Sequence, residues 1–323
     1  MRVVEVTRFG GPEVLVTNQV PEPEAGPGQV VVRVAAADVL FVETQIRAGG
    51  FGEYFDVRPP YVPGGGVAGR VDAVGDGVDP GWLGKTVLTS TGGGGGYAER
   101  VVVGADGLVE VPAGVGAREA AALLHDGPTA LELFEGNRVR AGEQVLIVGA
   151  TGGAGILLVQ LAHAAGARVV AAARGERKLA LATELGADVV VDYSVPGWTD
   201  RVLEATGGTG PDLVLDGVGG EFGRAAFEVT PRGGRFSAHG APTGGFAAID
   251  PAEAAERGIG LRGIADLRFP PERARELAAR ALAEVAAGRI RPVIGQTFPL
   301  DRAADAHAAI EARQVIGKTL LLV

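Results

Sequence analysis

Val145-Leu-Ile-Val-Gly149-Ala-Thr-Gly152-Gly-Ala-Gly155-Ile-Leu-Leu-Val-Gln160 is the stretch that decides how this chain folds. Its first four residues are apolar and read as a short buried strand (residues 145–148), and residues 153–165 read as a helix packed against it. A glycine-rich turn joins the two directly. Glycines at 149, 152 and 155 let the turn tighten, let backbone approach a pyrophosphate and let helix lie close on strand. The amides of the helix N-terminus then face the phosphates of a bound dinucleotide. Gly149, Ala150, Thr151, Gly152, Gly153, Ala154 and Gly155 are accordingly expected to hold one.

Downstream, the pattern repeats as strand 168–173, helix 176–185, strand 189–191, a helix near 199–205, and strands 212–215 and 234–238. Such alternation requires right-handed crossovers and a parallel sheet covered on both faces, which is a doubly wound α/β domain. Upstream, residues 1–120 are β-rich. Runs at 30–34, 67–74 and 97–103 are separated by Gly, Pro and Asp turns, with one helical stretch at 39–47. Beyond 263 the chain predicts a helix over 272–287, a second helix capped by Asp301 and running to Arg313, and a last strand over 319–323 that returns to a sheet. The expected division is therefore a β-rich domain (1–120), a dinucleotide-binding domain (121–263) and a C-terminal return to the first domain (264–323).

The second strand of the nucleotide fold distinguishes the cofactors. An NAD site places a carboxylate about 20 residues after the fingerprint. Here that strand ends Ala173-Arg174-Gly175-Glu176-Arg177-Lys178, with cations at the position. Arg174 can grip a 2′-phosphate through its planar fork and Lys178 as a point charge, so NADPH is expected.

Composition removes other classes. The net charge of −9 argues against a nucleic-acid binder. No apolar run reaches the ~20 residues of a membrane span, and the N-terminus lacks a signal-peptide core, so a cytoplasmic protein is expected. The absence of cysteine excludes disulfides, thiolate zinc sites and a cysteine nucleophile, and four histidines leave little to bind a metal. None of the tyrosines at 54, 61, 97 and 193 has a lysine four residues on, which removes the short-chain dehydrogenase reading. No Walker A loop or nucleophile elbow is present.

Several segments resemble the quinone oxidoreductase (zeta-crystallin-like) branch of the medium-chain dehydrogenase/reductase superfamily. They are Phe9-Gly-Gly-Pro-Glu-Val-Leu15, Val42-Glu-Thr-Gln-Ile-Arg-Ala-Gly49, Pro63-Gly-Gly-Gly-Val-Ala-Gly69, Gly96-Tyr-Ala-Glu99, Pro128-Thr-Ala130, Leu185-Gly-Ala-Asp188, Asp216-Gly-Val-Gly-Gly220 and Pro299-Leu-Asp-Arg-Ala-Ala-Asp-Ala-His307 with Gly317-Lys318. The resemblance implies a GroES-like β-rich catalytic domain beside a Rossmann domain, and a zinc-free member, because the Gly-His-Glu of zinc-dependent relatives is replaced near Gly64-Gly-Gly66. It further implies that Thr129 lies near the nicotinamide ribose or pyrophosphate, that Tyr193 packs at the 2′-phosphate, and that Val218, Gly219 and Gly240 line the nicotinamide. Gly317 and Lys318 would touch the cofactor from the C-terminal segment, and a homodimer would form through an edge strand of the Rossmann sheet. Two positions depart from the branch: Leu40 stands where it often has Asn, and Gln45 where it often has Tyr.

Direct hydride transfer to a conjugated acceptor leaves a proton to be supplied. Candidates are His239, at the end of strand 234–238; His125 and Asp126, before Pro128-Thr129; and Gln45 and Tyr54, as donors to a substrate carbonyl. His163 and His307 fall on helices and read as structural. The leading expectation is a reductase of quinones. An enoyl or alkenal reductase and a catalytically silent NADPH-binding protein are the alternatives.

Overall fold

The computed structural model describes residues 1–50, 52, 55–267, 269–313 and 315–323. The chain forms two compact units. One comprises Met1–His125, Pro271–Gly288 and Pro292–Val323, and the other comprises Asp126–Pro270 and Arg289–Arg291.

The first unit begins with an antiparallel pair, β1 (Arg2–Val6) and β2 (Leu15–Gln19). Its main sheet is organised on β3 (Gln29–Val39), which runs well past the β-branched stretch 30–34. The alanines at 35–37 carry little strand preference of their own. Pairing on both sides overrides that weakness, as strand formation commonly does. After α1 (Phe41–Arg47) come β4 (Gly66–Val74), β5 (Thr86–Ser90), β6 (Arg100–Gly104), β7 (Val109–Glu110) and α2 (Ala117–Leu123). β3 pairs antiparallel with both β4 and β6, and β5 continues from β4.

The second unit runs α3 (Asp126–Gly136), β8 (Gln144–Val148), α4 (Gly153–Ala164), β9 (Arg168–Ala173), α5 (Glu176–Glu184), β10 (Val189–Asp192), α6 (Trp198–Ala205), β11 (Leu213–Asp216), α7 (Gly220–Glu228), β12 (Arg235–Ala238), α8 (Pro251–Glu256) and β13 (Gly260–Gly263). All six strands are parallel, in the order β10-β9-β8-β11-β12-β13. The order reverses between β8 and β11, so the carboxyl ends of these two strands flank the crevice where such sheets take ligands. β13 is Gly-Leu-Arg-Gly, held by β12 alone, and carries no strand signal of its own.

The chain then returns to the first unit through α9 (Pro271–Ala286), β14 (Ile294–Pro299), α10 (Ala303–Glu311) and β15 (Lys318–Leu322). β15 joins β3 antiparallel, Leu320 opposite Asp38, and β14 runs parallel to β15. The expected Asp301 cap is absent. Asp301 lies inside a single 3-10 turn, Leu300–Arg302, so Arg302 takes the cap position of α10 without a side-chain hydrogen bond.

Each unit has its own core. Val4, Val30, Val32, Val67, Val87 and Leu321 meet in the first. In the second, Leu146, Val170 and Val214 from adjacent strands pack with Phe227 and Phe236, whose rings meet edge to face at 5.5 Å. Replacing Phe236 by Ala should destabilise the second unit by about 3–5 kcal/mol, the usual cost of a buried phenyl and its cavity. Thermal or urea unfolding will register the loss.

Candidate functional site

The turn after β8 has the geometry that its glycines predict. Gly149 sits at φ +81, and a Cβ there would stand 3.0 Å from Val218 Cγ2. Gly155 lies so close to the Gly149 carbonyl and Ala150 that any side chain would collide with them. Gly152 faces open space apart from an ordinary contact, and as N-cap of α4 it offers no side chain to the first amides of the helix. Those uncapped N–H groups suit a pyrophosphate. Gly153 has a further role that its motif does not disclose: a Cβ there would strike the carboxylate of Asp126. Asp126 opens α3, whose interior carries Thr129.

At the end of β9, Arg174 rests on an aromatic shelf. Its guanidinium lies 5.5 Å from the Tyr193 ring and 5.9 Å from the Phe222 ring, and the two rings are 5.0 Å apart. Gly175, at φ +81, starts α5 with its N–H donated to Asp192 Oδ2 at 2.9 Å. Burial disfavours the charge on Asp192, but hydrogen bonds from Ser194 and Gly175, with Arg174 nearby, keep its carboxyl below the usual range. Lys178 is pushed down, first by partial burial and then by Arg174. Arg174 on a fixed aromatic surface, with the Lys178 charge near enough to be disfavoured by it, forms a site that gains from a dianion. This donor set fits a 2′-phosphorylated dinucleotide, and it brings together Arg174, Lys178 and Tyr193.

The carboxyl end of β11 supplies the next part. Asp216 is fully buried, and its Oδ1 accepts the amides of Val218 and Gly219, each at 2.9 Å. Burial nonetheless raises its pKa. Gly219 takes φ +73, and a Cβ there would run into the carbonyl of Gly240, while one on Gly240 would run into Gly217. Val218, Gly219 and Gly240 therefore form one tight double turn in which a side chain is sterically barred at both glycines. His239 belongs to the same turn, its ring nitrogen Nδ1 3.2 Å from the Ser237 carbonyl. Burial pushes its pKa down to about 4, so it is neutral at physiological pH.

The β-rich unit contains a buried polar cluster of a different kind. Asp38, on β3, is fully buried, with His125 Nδ1 at 2.8 Å and Lys318 Nζ at 3.2 Å from its Oδ2. Burial works against the Asp38 charge, but His125 and Lys318 outweigh it and hold the carboxyl below its ordinary pKa. For His125, burial opposes protonation and Asp38 overcomes it, so its pKa is raised. His125 is thus paired with Asp38, 87 residues away along the chain. Beside the pair, buried Glu43 accepts the amides of Gly65 and Leu40 and the hydroxyl of Tyr97, and that hydroxyl lies 3.0 Å from His307 Nε2. Burial and then Asp38 push the Glu43 pKa up, and burial pushes His307 down to about 3.

The glycines at 64–66 make room for these groups. A Cβ at Gly64 would strike Tyr97, one at Gly66 would strike Leu124, and one at Gly65 would come within 3.4 Å of His125 Nε2. Lys318, expected at the cofactor, is buried and bonded to Asp38 inside this unit. Gly317 takes φ +67 and packs too closely on the Val293 carbonyl to carry a side chain. Gln45 donates to Thr44 Oγ1 at 3.2 Å. Tyr54 lies outside the described residues. Among the described residues, no group of His, Asp and Glu is arranged to hold a metal ion. With no cysteine in the chain, the donors do not fit a zinc site, and no step is routed through one.

Residues 26–113 match the alcohol dehydrogenase GroES-like domain, and residues 153–284 match the zinc-binding dehydrogenase family. The chain is 33% identical to a quinone oxidoreductase of Sus scrofa, over 100% of this chain and 98% of that protein. It is 32% identical to a 2-haloacrylate reductase of a Burkholderia species, over 98% and 97% of the two chains. It is also similar to a solved mycobacterial structure complexed with NADPH, with a TM-score of 0.90, 33% identity and 100% of each chain covered.

The aromatic shelf leads to a test. Replacing both Arg174 and Lys178 by Ala should weaken NADPH binding about 30- to 100-fold, since each charged hydrogen-bond donor contributes about 1.5–3 kcal/mol and the pair is coupled. NADH binding should change less than about threefold, and fluorescence titration of the two nucleotides will separate the effects.

Proposed function

Because this chain belongs to the quinone oxidoreductase branch of the medium-chain dehydrogenase/reductase superfamily, we propose that it reduces a quinone, with His125 as the proton donor. The chain is an oxidoreductase, which retires the expectation of a catalytically silent binder, and NADPH is its cofactor. Bound NADPH supplies a hydride, and two-electron reduction of a quinone to a hydroquinone requires that hydride and one proton. The residues of the chain anchor the dinucleotide, align its ring, exclude water and supply the proton.

Charge at the histidines carries this reading. His239 and His307 are pushed low by burial, whereas Asp38 holds the proton on His125. With Nδ1–H donated to Asp38, the transferable proton is the one on Nε2. It would neutralise the oxygen on which charge develops as the acceptor takes its hydride. The neutral imidazole keeps its Nδ1–H on the carboxylate and recovers its Nε2 proton from water. Lys318 balances the charge of Asp38 when His125 is neutral, so the carboxylate is never left buried without a cation.

A second reading, hydride delivery to the β-carbon of an enone or related alkene, is supported by the similarity to a 2-haloacrylate reductase. Assays with NADPH and matched panels of quinones and enones should show kcat/KM at least tenfold higher for quinones. A preference for enones would replace the first reading by the second.

His125→Gln should lower kcat by about 10²- to 10³-fold, the usual worth of a positioned acid, and leave the Kd for NADPH unchanged. In the native enzyme, kcat should be highest at low pH and fall as pH rises through the raised pKa of His125. Removing the carboxylate charge with Asp38→Asn takes away the cause of that elevation and should move the falling limb to lower pH. A pH–rate profile that is the same in both proteins would dismiss His125 as the donor.

A further inference from the structure

We propose that the α/β unit carries a second ligand site, for a phosphorylated small molecule, at the edge of the sheet opposite the cofactor turn. The amino ends of β8, β11, β12 and β13 meet the end of α3 around a cavity of about 550 Å³. Because the six strands are parallel, this edge is separated from the turn at Gly149 by the length of β8, ~16 Å at about 3.3 Å per residue. The volume is that of a small-molecule site and exceeds what a single phosphate fills.

The sign of the charge here is opposite to that of the chain. Five arginines, at 138, 140, 232, 235 and 262, line the cavity against two carboxylates, Glu143 and Asp212, although the whole protein carries −9. Two of the arginines have structural duties. Arg235 pairs with Glu143 at 2.8 Å and donates to the carbonyl of Asn137 just beyond α3, and Arg232 donates to the Glu256 carbonyl at the end of α8. Both offset the negative carbonyl ends of helices, which lie on this edge of a doubly wound sheet. Asp212 is engaged by the Gln144 amide at 2.8 Å. The guanidinium groups of Arg138, Arg140 and Arg262 have no carboxylate or carbonyl partner among the described residues.

The backbone is shaped around two of these three. Arg138 takes φ +51, a left-handed conformation that glycine or asparagine normally supplies at the end of a helix. An arginine there is strained, and among the described residues no carboxylate or carbonyl holds its side chain in compensation. Arg262 passes over Gly136, in the last turn of α3, where any Cβ would strike its guanidinium. Pro231 and Leu261, the latter 37% exposed, add an apolar wall. Three unspent forks beside an apolar wall suit phosphate oxygens attached to an organic body.

Calorimetric titration of the holoprotein, saturated with NADP⁺ so that the first site is filled, tests this. Inorganic pyrophosphate and ADP serve as separate probes. Saturable binding of either is expected, weakened at least tenfold by the double variant Arg140→Ala, Arg262→Ala, with the Kd for NADPH unchanged. Tighter binding of ADP points to a nucleotide, and equal binding to recognition of phosphate alone. Arg140 is exposed, so Arg140→Ala by itself remains informative if the double variant folds poorly. The proposal is overturned if neither probe binds, if the double variant binds as the native protein does, or if Arg174→Ala removes the heat. Binding of an acidic peptide in place of both probes would assign the surface to a protein partner and overturn it too. A separate NADP⁺ titration shows whether any failure lies in the cofactor site.

Discussion

The constraint on which the α/β unit depends is the close approach of α4 to the end of β8. A helix that begins within five residues of a strand's end, and packs on that strand, leaves no room for a side chain at Gly155 and demands a positive φ at Gly149. The same geometry leaves the first amides of α4 without a side-chain cap. An uncapped helix start is an energetic liability in a protein alone and an asset when a phosphate occupies it. The reversal of strand order between β8 and β11 then brings the Val218 turn against Gly149. Phosphate recognition and the double turn beside it thus arise from one crowded junction.

In the β-rich unit the governing problem is a buried charge. A carboxylate taken out of water is tolerated only with close cationic partners, and Asp38 has two. One of them, His125, has its pKa raised by this carboxylate. In the proposed mechanism Lys318 remains beside the carboxylate when His125 gives up its proton. Glu43 shows the contrasting outcome. Lacking a cation of its own and lying beside Asp38, it is driven toward its neutral form and is satisfied by two amides and a phenol.

Much of this was legible in the sequence wherever the determining contacts are local. The fingerprint turn, the cations after β9 and the alternation of strands with helices lie within short reach along the chain, and periodicity exposes them. The Asp38 cluster was not legible, because His125 and Lys318 join it from 87 and 280 residues away. Its one visible signal is an acidic residue inside the apolar run Val34-Ala-Ala-Ala-Asp38-Val39, a buried charge that announces a missing partner. His125 and Asp126 are neighbours in sequence, but nothing in that adjacency points to Asp38 as a partner of His125. Phe222 escaped notice because it acts only as half of a shelf completed by Tyr193. The single-turn helix that displaces Asp301 from its cap shows how one residue of register decides whether a side chain reaches an amide.

The two histidines first weighed as proton donors also show why position alone is a poor guide to role. His239 sits at the carboxyl end of a strand beside the reversal point, where ligands gather in sheets of this kind, and on topology it is the stronger candidate. Burial dominates there, and the hydrogen bond to the Ser237 carbonyl, which favours the charged ring, does not outweigh it. A histidine with a pKa near 4 holds almost no dissociable imidazolium proton at neutral pH. His125 sits on no strand end, but a carboxylate that is itself denied water gives it a strong reason to stay protonated. In the proposed mechanism the donor is the histidine that the fold supplies with a counter-charge.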